Sequence, residues 1–355
     1  MRPALRQKML GLHRWIAFAI GMPAVVVALS GAALVFRPEI SGGLAAPAWP
    51  AGAWERAAAA AKRIDAGADA VEIAPRAGRA EVLVGGKSGR TLVIDPADGR
   101  VLADEGAAAM AFPFLFKLHT RFLAGSWAEW IAALAGLALL VSSATGLALA
   151  WPVSARAWGL LLRLRTADGW RPFATDLHRV LGLAVLPLLA LNAATGLVLV
   201  FSSPVATWVS AARPRPAEPA ASWAKAPCAP CTLDDLVAHA ERLVPGARAM
   251  RVVTGAAAVP VLVRLRRAGE NETQGMNRVW IDATSGEVRR VVPLERAPAG
   301  AALFDWLYPL HTGRFVGLAW CTLLAAAGFA PLVSLASGIA LWRARRRPRK
   351  SAPRP

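Results

Sequence analysis

Residues 118–146 read LHTRFLAGSWAEWIAALAGLALLVSSATG, and residues 310–338 read LHTGRFVGLAWCTLLAAAGFAPLVSLASG. Both open on Leu-His-Thr, run on through apolar residues, and close on Thr-Gly or Ser-Gly. At an offset of 192, Leu118-His119-Thr120 falls on Leu310-His311-Thr312, Gly125 on Gly317, Gly136 on Gly328 and Thr145-Gly146 on Ser337-Gly338. Extended to 34 positions the match holds 15 identities. They fall on His, Thr and Gly as well as on Leu and Ala, so shared apolar composition does not account for them. A second gap-free match, at an offset of 165, ties His13–Phe36 to His178–Phe201. It pairs His13-Arg14 with His178-Arg179 and Ser30-Gly31 with Thr195-Gly196. The chain carries a duplicated unit.

Working outward, four apolar runs stand out: about Trp15–Phe36, Trp127–Trp151, Val180–Phe201 and Phe315–Trp342. Each reaches the roughly 20 residues that a helix needs to cross a hydrocarbon core of about 30 Å. Trp15, Trp127, Trp130, Trp151, Trp306, Trp320 and Trp342 gather at their ends, as interfacial anchors do. The 355 residues are 55% hydrophobic and only 18% charged, below the quarter or so usual in soluble chains. That excludes one large soluble domain and excludes disorder.

The net charge of +18 raises the question of nucleic acid. Four spans place both termini on one side. The segments on that side (1–14, 152–179 and 343–355) hold 16 Lys/Arg against two acids, Asp168 and Asp176. The rest of the chain holds 25 bases and 21 acids. The basic excess lies beside the spans on one face, which is therefore the cytoplasmic one. Nucleic-acid motifs are absent and nucleic acid is not an expected partner; the lipid bilayer is. An apolar core of about 22 residues in the first run exceeds a signal-peptide core, so cleavage near Leu44–Pro47 is not expected.

The segments between the spans repeat as well. Val93-Ile94-Asp95-Pro96-Ala97-Asp98-Gly99-Arg100-Val101 corresponds to Trp280-Ile281-Asp282-Ala283-Thr284-Ser285-Gly286-Glu287-Val288. Each reads as strand, turn, strand, with Asp opening the turn and Gly closing it. A helix precedes each, about Trp54–Ile64 and Leu233–Leu243, the second after Thr232 as N-cap. The unit is span, small α+β module, span. Each unit has an even number of spans, so both copies share one orientation and the symmetry axis is expected along the membrane normal.

Four of the five histidines head a span and come in duplicated pairs. His13 and His178 belong to the cytoplasmic face, His119 and His311 to the opposite face. An axis along the normal puts partners at equal depth, giving one imidazole pair near each face. Imidazole pairs can hold haem iron axially, and ionisable groups beside spans are costly. Two b-type haems stacked across the bilayer are the expectation. No Cys-x-x-Cys-His is present, so attachment would be non-covalent. Gly31, Gly125, Gly136, Gly146, Gly182, Gly196, Gly317, Gly328 and Gly338 could admit a flat macrocycle or serve ordinary helix packing. Arg14 and Arg179 beside the inner pair, and Arg121 and Arg314 beside the outer, are either propionate partners or topology and headgroup residues.

Other features read more plainly. His239 sits in an amphipathic helix and reads as a packing residue. Cys228-Ala229-Pro230-Cys231 has redox-dithiol spacing but follows the Pro-rich stretch Arg213–Pro227 and lacks a thioredoxin context, so a small structural bridge fits as well. Cys321 reads as an apolar packer inside the fourth span. Glu129 is either a proton handler or a satisfied interfacial carboxylate. Gly85–Gly89 has the wrong spacing for a phosphate loop and reads as a hairpin turn. No nucleotide or flavin site is found, so an electron donor would have to dock from outside.

Together, Leu12-His13-Arg14-Trp15, Leu118-His119-Thr120, Asp176-Leu177-His178-Arg179-Val180-Leu181-Gly182, Leu310-His311-Thr312 and the two Ile-Asp-x-x-x-Gly hairpins resemble the PepSY-associated transmembrane family. The resemblance runs from about residue 8 to 345. It implies an iron-regulated inner-membrane protein whose relatives look like di-haem ferric-siderophore reductases. It also implies that His13, His178, His119 and His311 are the haem ligands; two ligands per haem follow from the symmetry.

The expected fold is a membrane all-α core of four transmembrane helices arranged as two parallel repeats, with two small α+β PepSY-like periplasmic modules. Its segments are a cytoplasmic N-terminus 1–14, helix 15–36, module 37–111, a lead-in with helix 112–151, a cytoplasmic loop 152–179, helix 180–202, module 203–303, a lead-in with helix 304–342, and a basic tail 343–355. The expected activity is ferric-chelate reduction: electrons from an external cytoplasmic donor reach a ferric siderophore or other ferric chelate in the periplasm. Delivery to a copper or sulfur species is a variant of that reading. The alternatives are a non-enzymatic peptide-binding or protease-regulating module, and a transporter or sensor, for which Pro187, Asn192 and Pro331 are the hints.

Overall fold

The computed structural model describes residues 2–346 apart from 41–48, 66–70, 77, 85–89, 106–110, 153, 155–156, 158, 160, 214–230, 256–258, 271–273 and 315. The Gly85–Gly89 turn, Leu44–Pro47, most of the Arg213–Pro227 stretch and Cys228 lie outside the described residues.

The described elements run in chain order as α1 (Pro3–Leu34), α2 (Arg37–Ile40), α3 (Ala53–Ile64), β1 (Val71–Arg76), β2 (Arg79–Val84), β3 (Arg90–Ile94), β4 (Val101–Glu105), α4 (Ala111–Arg121) and α5 (Glu129–Ala150). The second half follows as α6 (Trp170–Val200), α7 (Ser202–Ala212), α8 (Leu233–Leu243), β5 (Ala247–Thr254), β6 (Val261–Arg267), β7 (Asn277–Ile281), β8 (Val288–Val292), α9 (Ala299–Thr312), α10 (Leu318–Gly328) and α11 (Ala330–Arg346). They divide into a helical unit (Met1–Val35, Leu115–Phe201 and Val316–Pro355) and a sheet unit (Phe36–Phe114 and Ser202–Phe315).

The helical unit holds four helices long and apolar enough to cross a membrane: Pro3–Leu34, Ser126–Ala150, Trp170–Val200 and Leu318–Ala344. Only 17–28% of their apolar windows is buried within the protein, so apolar side chains point outward all round, as lipid-facing helices require. α1 packs on α5, α5 on α6, α6 on α10 and α11, and these return to α1, closing a four-membered ring. α1 starts at Pro3 rather than near Trp15, and α6 at Trp170 rather than near Val180. Hydropathy registers only the apolar stretch; the backbone hydrogen bonding continues about three turns further, through basic residues. Pro3 at the first turn is placed where a missing N–H costs nothing. The fourth span breaks at Phe329, two residues before Pro331, whose ring cannot donate to the preceding turn.

The sheet unit corrects one expectation. The two modules do not fold as separate sheets. Their strands form one antiparallel sheet of eight, in the order β4-β3-β2-β1-β5-β6-β7-β8. The join is β1 on β5, with Val71, Glu72 and Ile73 opposite Thr254, Val253 and Val252. Strand order is palindromic about that join. One core runs through both halves: Ile73, Val82, Leu92 and Ile94 from the first and Val252, Val263, Leu265 and Ile281 from the second, under Trp54 and Ala57 of α3 and Leu236 and Ala240 of α8. Alternation in each strand puts these residues on the helix-covered face.

The two hairpins match at the level of single bonds. Gly99 N–H donates to the Asp95 carbonyl at 2.9 Å, and Gly286 N–H to the Asp282 carbonyl at 2.9 Å. Both glycines adopt positive φ, 74° and 66°, which a side chain would resist. The helices cap each other across the join: Leu233 N–H donates to Glu55 Oε2 at 2.8 Å, and Glu55 N–H to Asp234 Oδ2 at 2.9 Å. Each carboxylate thereby satisfies a first-turn donor of the other helix.

Candidate functional site

In the helical unit His13 of α1 and His178 of α6 face each other. Their ring centroids lie 6.2 Å apart and their planes cross at 87°. Each ring is held by a helix other than its own. His13 Nδ1 meets Thr145 Oγ1 of α5 at 2.9 Å. His178 Nδ1 meets the Ser334 carbonyl of α11 at 3.0 Å and Ser337 Oγ at 3.1 Å. The same arrangement recurs at His119 of α4, whose Nδ1 meets the Val27 carbonyl of α1 at 2.8 Å and Ser30 Oγ at 3.3 Å.

The three cradles share a hydroxyl followed at once by a glycine, and at His178 and His119 a carbonyl three residues before the hydroxyl completes the set. The glycines are Gly146, Gly338 and Gly31. A Cβ there would sit 3.6 Å from His13 Cε1, 3.7 Å from His178 Cε1 and 2.9 Å from His119 Cε1. So three of the glycines that could have admitted a macrocycle lie against imidazole rings. Gly136 and Gly328 instead face backbone, the Ala193 and Ala28 carbonyls. Gly125 and Gly317 precede the second and fourth spans at positive φ, 90° and 97°.

The hydrogen-bond direction follows from what each group can do. A carbonyl only accepts, so the Nδ1 of His178 and that of His119 carry their protons and donate. The hydroxyls spend their own protons on their own helices: Thr145 on the Val141 carbonyl at 2.8 Å, Ser30 on Val26 at 2.6 Å, Ser337 on Ser334 at 3.1 Å. In a neutral ring with Nδ1 protonated, Nε2 keeps a lone pair. Asn192, Thr195 and Gly196 of α6 repeat the spacing, and Thr195 likewise donates to Leu191 at 2.8 Å. His311 lies on α9 in the sheet unit and is half-buried.

Three of the four arginines near the histidines are engaged by protein groups. Arg179 pairs with buried Asp176 at 3.1 Å and donates to the Leu161 and Arg163 carbonyls. Arg121 binds Glu129 at 2.6 Å, which makes Glu129 a satisfied carboxylate. Arg314 pairs with Glu39 and, by hydrogen bonding, holds that carboxyl below its usual range. A cleft of about 290 Å³ lined by Arg165, Arg171, Thr175 and Leu341 opens one turn from His178. Cys321 is a buried thiol in the fourth span, and Cys231 is disulfide-bonded. His239 is buried on the core side of α8.

Sequence reasoning noted the Thr/Ser-Gly closings of the spans but did not connect them to the histidines; Thr145, Ser337 and Ser30 lie against His13, His178 and His119. It also missed Phe122 and Leu123, which turn the chain after His119 with φ of 48° and 61°, a region costly for side chains of that size.

Four long apolar helices, outward-facing apolar surface and a separate antiparallel sheet define a multi-pass membrane protein with extramembrane structure. The chain matches the model of the PepSY-associated TM region over residues 10–345 and belongs to that family. No curated protein matches it.

Proposed function

We propose that the chain is an inner-membrane electron-transfer protein that holds two b-type haems and reduces a ferric siderophore or another ferric chelate on the periplasmic side with electrons from a cytoplasmic donor. The observation that carries this reading is the His13–His178 pair, with ring centres 6.2 Å apart and each Nδ1 hydrogen-bonded to another helix. A haem iron would be held between these two imidazoles, one from α1 and one from α6. The donor set fits. Among the described residues no group of three or more His, Cys, Asp or Glu converges. A metal held between His13 and His178 must bring its remaining ligands with it, as a porphyrin does.

His119 is assigned to the second haem, and His311 joins it on the duplication in the sequence. The equivalence of Gly136 with Gly328, and of Thr145 with Ser337, supports two repeats related by an axis along the membrane normal. The basic ends of the helices then face the cytoplasm, and the sheet unit faces the periplasm, where the Cys231 disulfide is chemically at home. When bound, haem iron supplies one-electron chemistry with a potential set by axial ligands and burial. Residues of neighbouring helices hold the His13, His178 and His119 rings through Nδ1. Arg171 at the cleft beside His178 offers a cation for a carboxylate.

The test is an optical spectrum of detergent-purified protein made under haem-replete conditions, oxidised and dithionite-reduced, with a pyridine haemochrome count. Two b-type haems per chain with low-spin bands support the reading, and turnover of a ferric hydroxamate or catecholate chelate then completes it. Absence of haem in well-folded protein sinks it.

A further inference from the structure

We propose that Thr145, Ser337 and Ser30, each with the glycine that follows it, are positioning residues. They fix the Nδ1–H tautomer of His13, His178 and His119 and hold the His13 and His178 rings with their planes crossed. The inference rests on the haem reading above and deepens it.

The tautomer argument is one of donors and acceptors. Each hydroxyl has a single proton, and geometry commits it to the carbonyl three or four residues back on its own helix: Val141 for Thr145, Ser334 for Ser337, Val26 and Val27 for Ser30. What it presents to the imidazole is a lone pair. At His178 and His119 the neighbouring carbonyl also presents only a lone pair: Ser334 O to His178 at 3.0 Å, Val27 O to His119 at 2.8 Å. Two acceptors converge on Nδ1 at His178 and at His119 and the Thr145 hydroxyl oxygen meets it at His13, so a ring in the other tautomer would oppose them with a further lone pair. Nδ1 therefore keeps its proton and Nε2 remains the only nitrogen able to bind a metal. Hydrogen-bonded partners of this kind orient metal-ligating histidines and raise their basicity.

The crossing of the planes has the same source. His13 is fixed by α5 and His178 by α11, so each ring plane is set by a different helix, and the result is 87° between them. The glycine leaves room for the ring to lie flat on its cradle. At Gly31 a methyl group would reach 2.9 Å from His119 Cε1, so the ring would have to move. At Gly146 and Gly338 the distances are 3.6 and 3.7 Å, ordinary contact, so alanine fits there and bulkier residues do not.

The test is electron paramagnetic resonance of the oxidised haem-loaded protein, with a redox titration, on the native chain and on Thr145→Val, Ser337→Ala and Thr145→Ser. The native protein is expected to show the strongly anisotropic large-g low-spin signal of crossed axial imidazoles. Thr145→Val keeps the shape of threonine but loses the acceptor. It is expected to change that signal and shift the ferric preference of one haem about tenfold, near 59 mV upward for one electron, while Thr145→Ser restores both. A native protein with two haems that both give the rhombic signal of parallel planes overturns the crossed geometry. A valine variant with unchanged signal and unchanged potential overturns the positioning role. If valine costs haem outright, rescue by serine supports the proposal and failure of rescue overturns it. If the native protein holds no haem, the haem reading fails separately. Nitrogen chemical shifts of ¹⁵N-histidine in the haem-free chain then decide the tautomer: Nδ1–H at His13, weakened in Thr145→Val, supports the cradle, and Nε2–H overturns it.

Discussion

Gly136 and Gly328 hold the same place in the two copies of the repeat, and each faces a carbonyl of the same matched position, Ala193 on α6 and Ala28 on α1. Thr145 and Ser337 likewise meet His13 and His178 through the same atoms. The halves of the sheet agree less. Thr232 opens α8 with a reciprocal capping box to Asp235, whereas Gly52 opens α3 with no side-chain cap. Arg289 reaches Asp282 from β8 at 3.0 Å, and the matching position in β4 is Leu102. The difference lies in how many parts depend on each residue. A cradle or a glycine contact fixes one helix against another, so a change there displaces both. A turn or a cap serves its own hairpin or helix and can vary alone.

The hardest way to break the equivalence is at the rings. His13→Ala and His178→Ala are each expected to remove the same haem, lowering the haemochrome count from two per chain to one, and the double variant should lose no more than either single. His239→Ala, on the core side of α8, should leave the count unchanged. Two singles that remove different haems would show that His13 and His178 do not share one.

Next come the helix contacts, where the copies are equivalent in position but not in clearance. A Cβ at Gly328 would lie 2.8 Å from Ala32 Cβ and 2.9 Å from the Ala28 carbonyl; at Gly136 it would lie 3.5 Å from the Ala193 carbonyl. Alanine gains up to about 1 kcal/mol of helix propensity over glycine, while overpacking costs about 1–3 kcal/mol. Gly136→Ala is expected to be neutral or stabilising and Gly328→Ala destabilising, as read by thermal unfolding in one detergent. Equal shifts in the two variants would remove the asymmetry.

Much of this was legible in the sequence. The four spans, the duplication and the two Asp-to-Gly turns all carry local signals: apolar length, repeated identities, and an Asp and a Gly at fixed spacing. The join between the modules does not. Ile73 and Val252 are 179 positions apart, and an alternating strand reads the same whether its edge is bare or paired. Helix starts were hidden because Arg2, Arg6 and Lys8 lower hydropathy without breaking the backbone ladder. The candidate histidines were visible as residues. Their cradles were not, because a hydroxyl that meets a ring 89 to 159 positions away looks, in sequence, like an ordinary small residue in a helix. The ion pairs of Arg121 with Glu129 and of Arg314 with Glu39 were not legible either, because no sequence pattern joins positions 39 and 314.

Across the sheet join, Glu55→Ala and Asp234→Ala each remove one acceptor from the opposing helix terminus. Loss of a cap typically costs about 0.5–2 kcal/mol. α8 keeps its Thr232 box, while α3 has no side chain at its N-cap to fall back on. Asp234→Ala is therefore expected to lower the melting temperature more than Glu55→Ala. The reverse order would mean that the box does not compensate.

The smallest effect separates the two hairpin turns. Asp282 accepts from the backbone of Ser285 and Thr284 and from Arg289, and these hydrogen bonds lower its carboxyl from 3.8 to about 2. The folded chain therefore holds the Asp282 carboxylate ionised at pH values where the unfolded chain protonates it. The contribution to stability is complete above about pH 4 and fades as the pH falls towards 2, because below both values the two states bind the same proton. Melting temperatures measured from pH 6 down to pH 2 should show Asp282→Asn below the native chain at the upper end, with the two curves converging at the lower. Arg289→Leu copies the first hairpin into the second. It should close part of that gap and leave the rest, since the backbone donors stay in place. A gap between Asp282→Asn and the native chain that stays constant down to pH 2 would mean that the carboxylate charge is not what the turn uses, and that asparagine merely fits it less well.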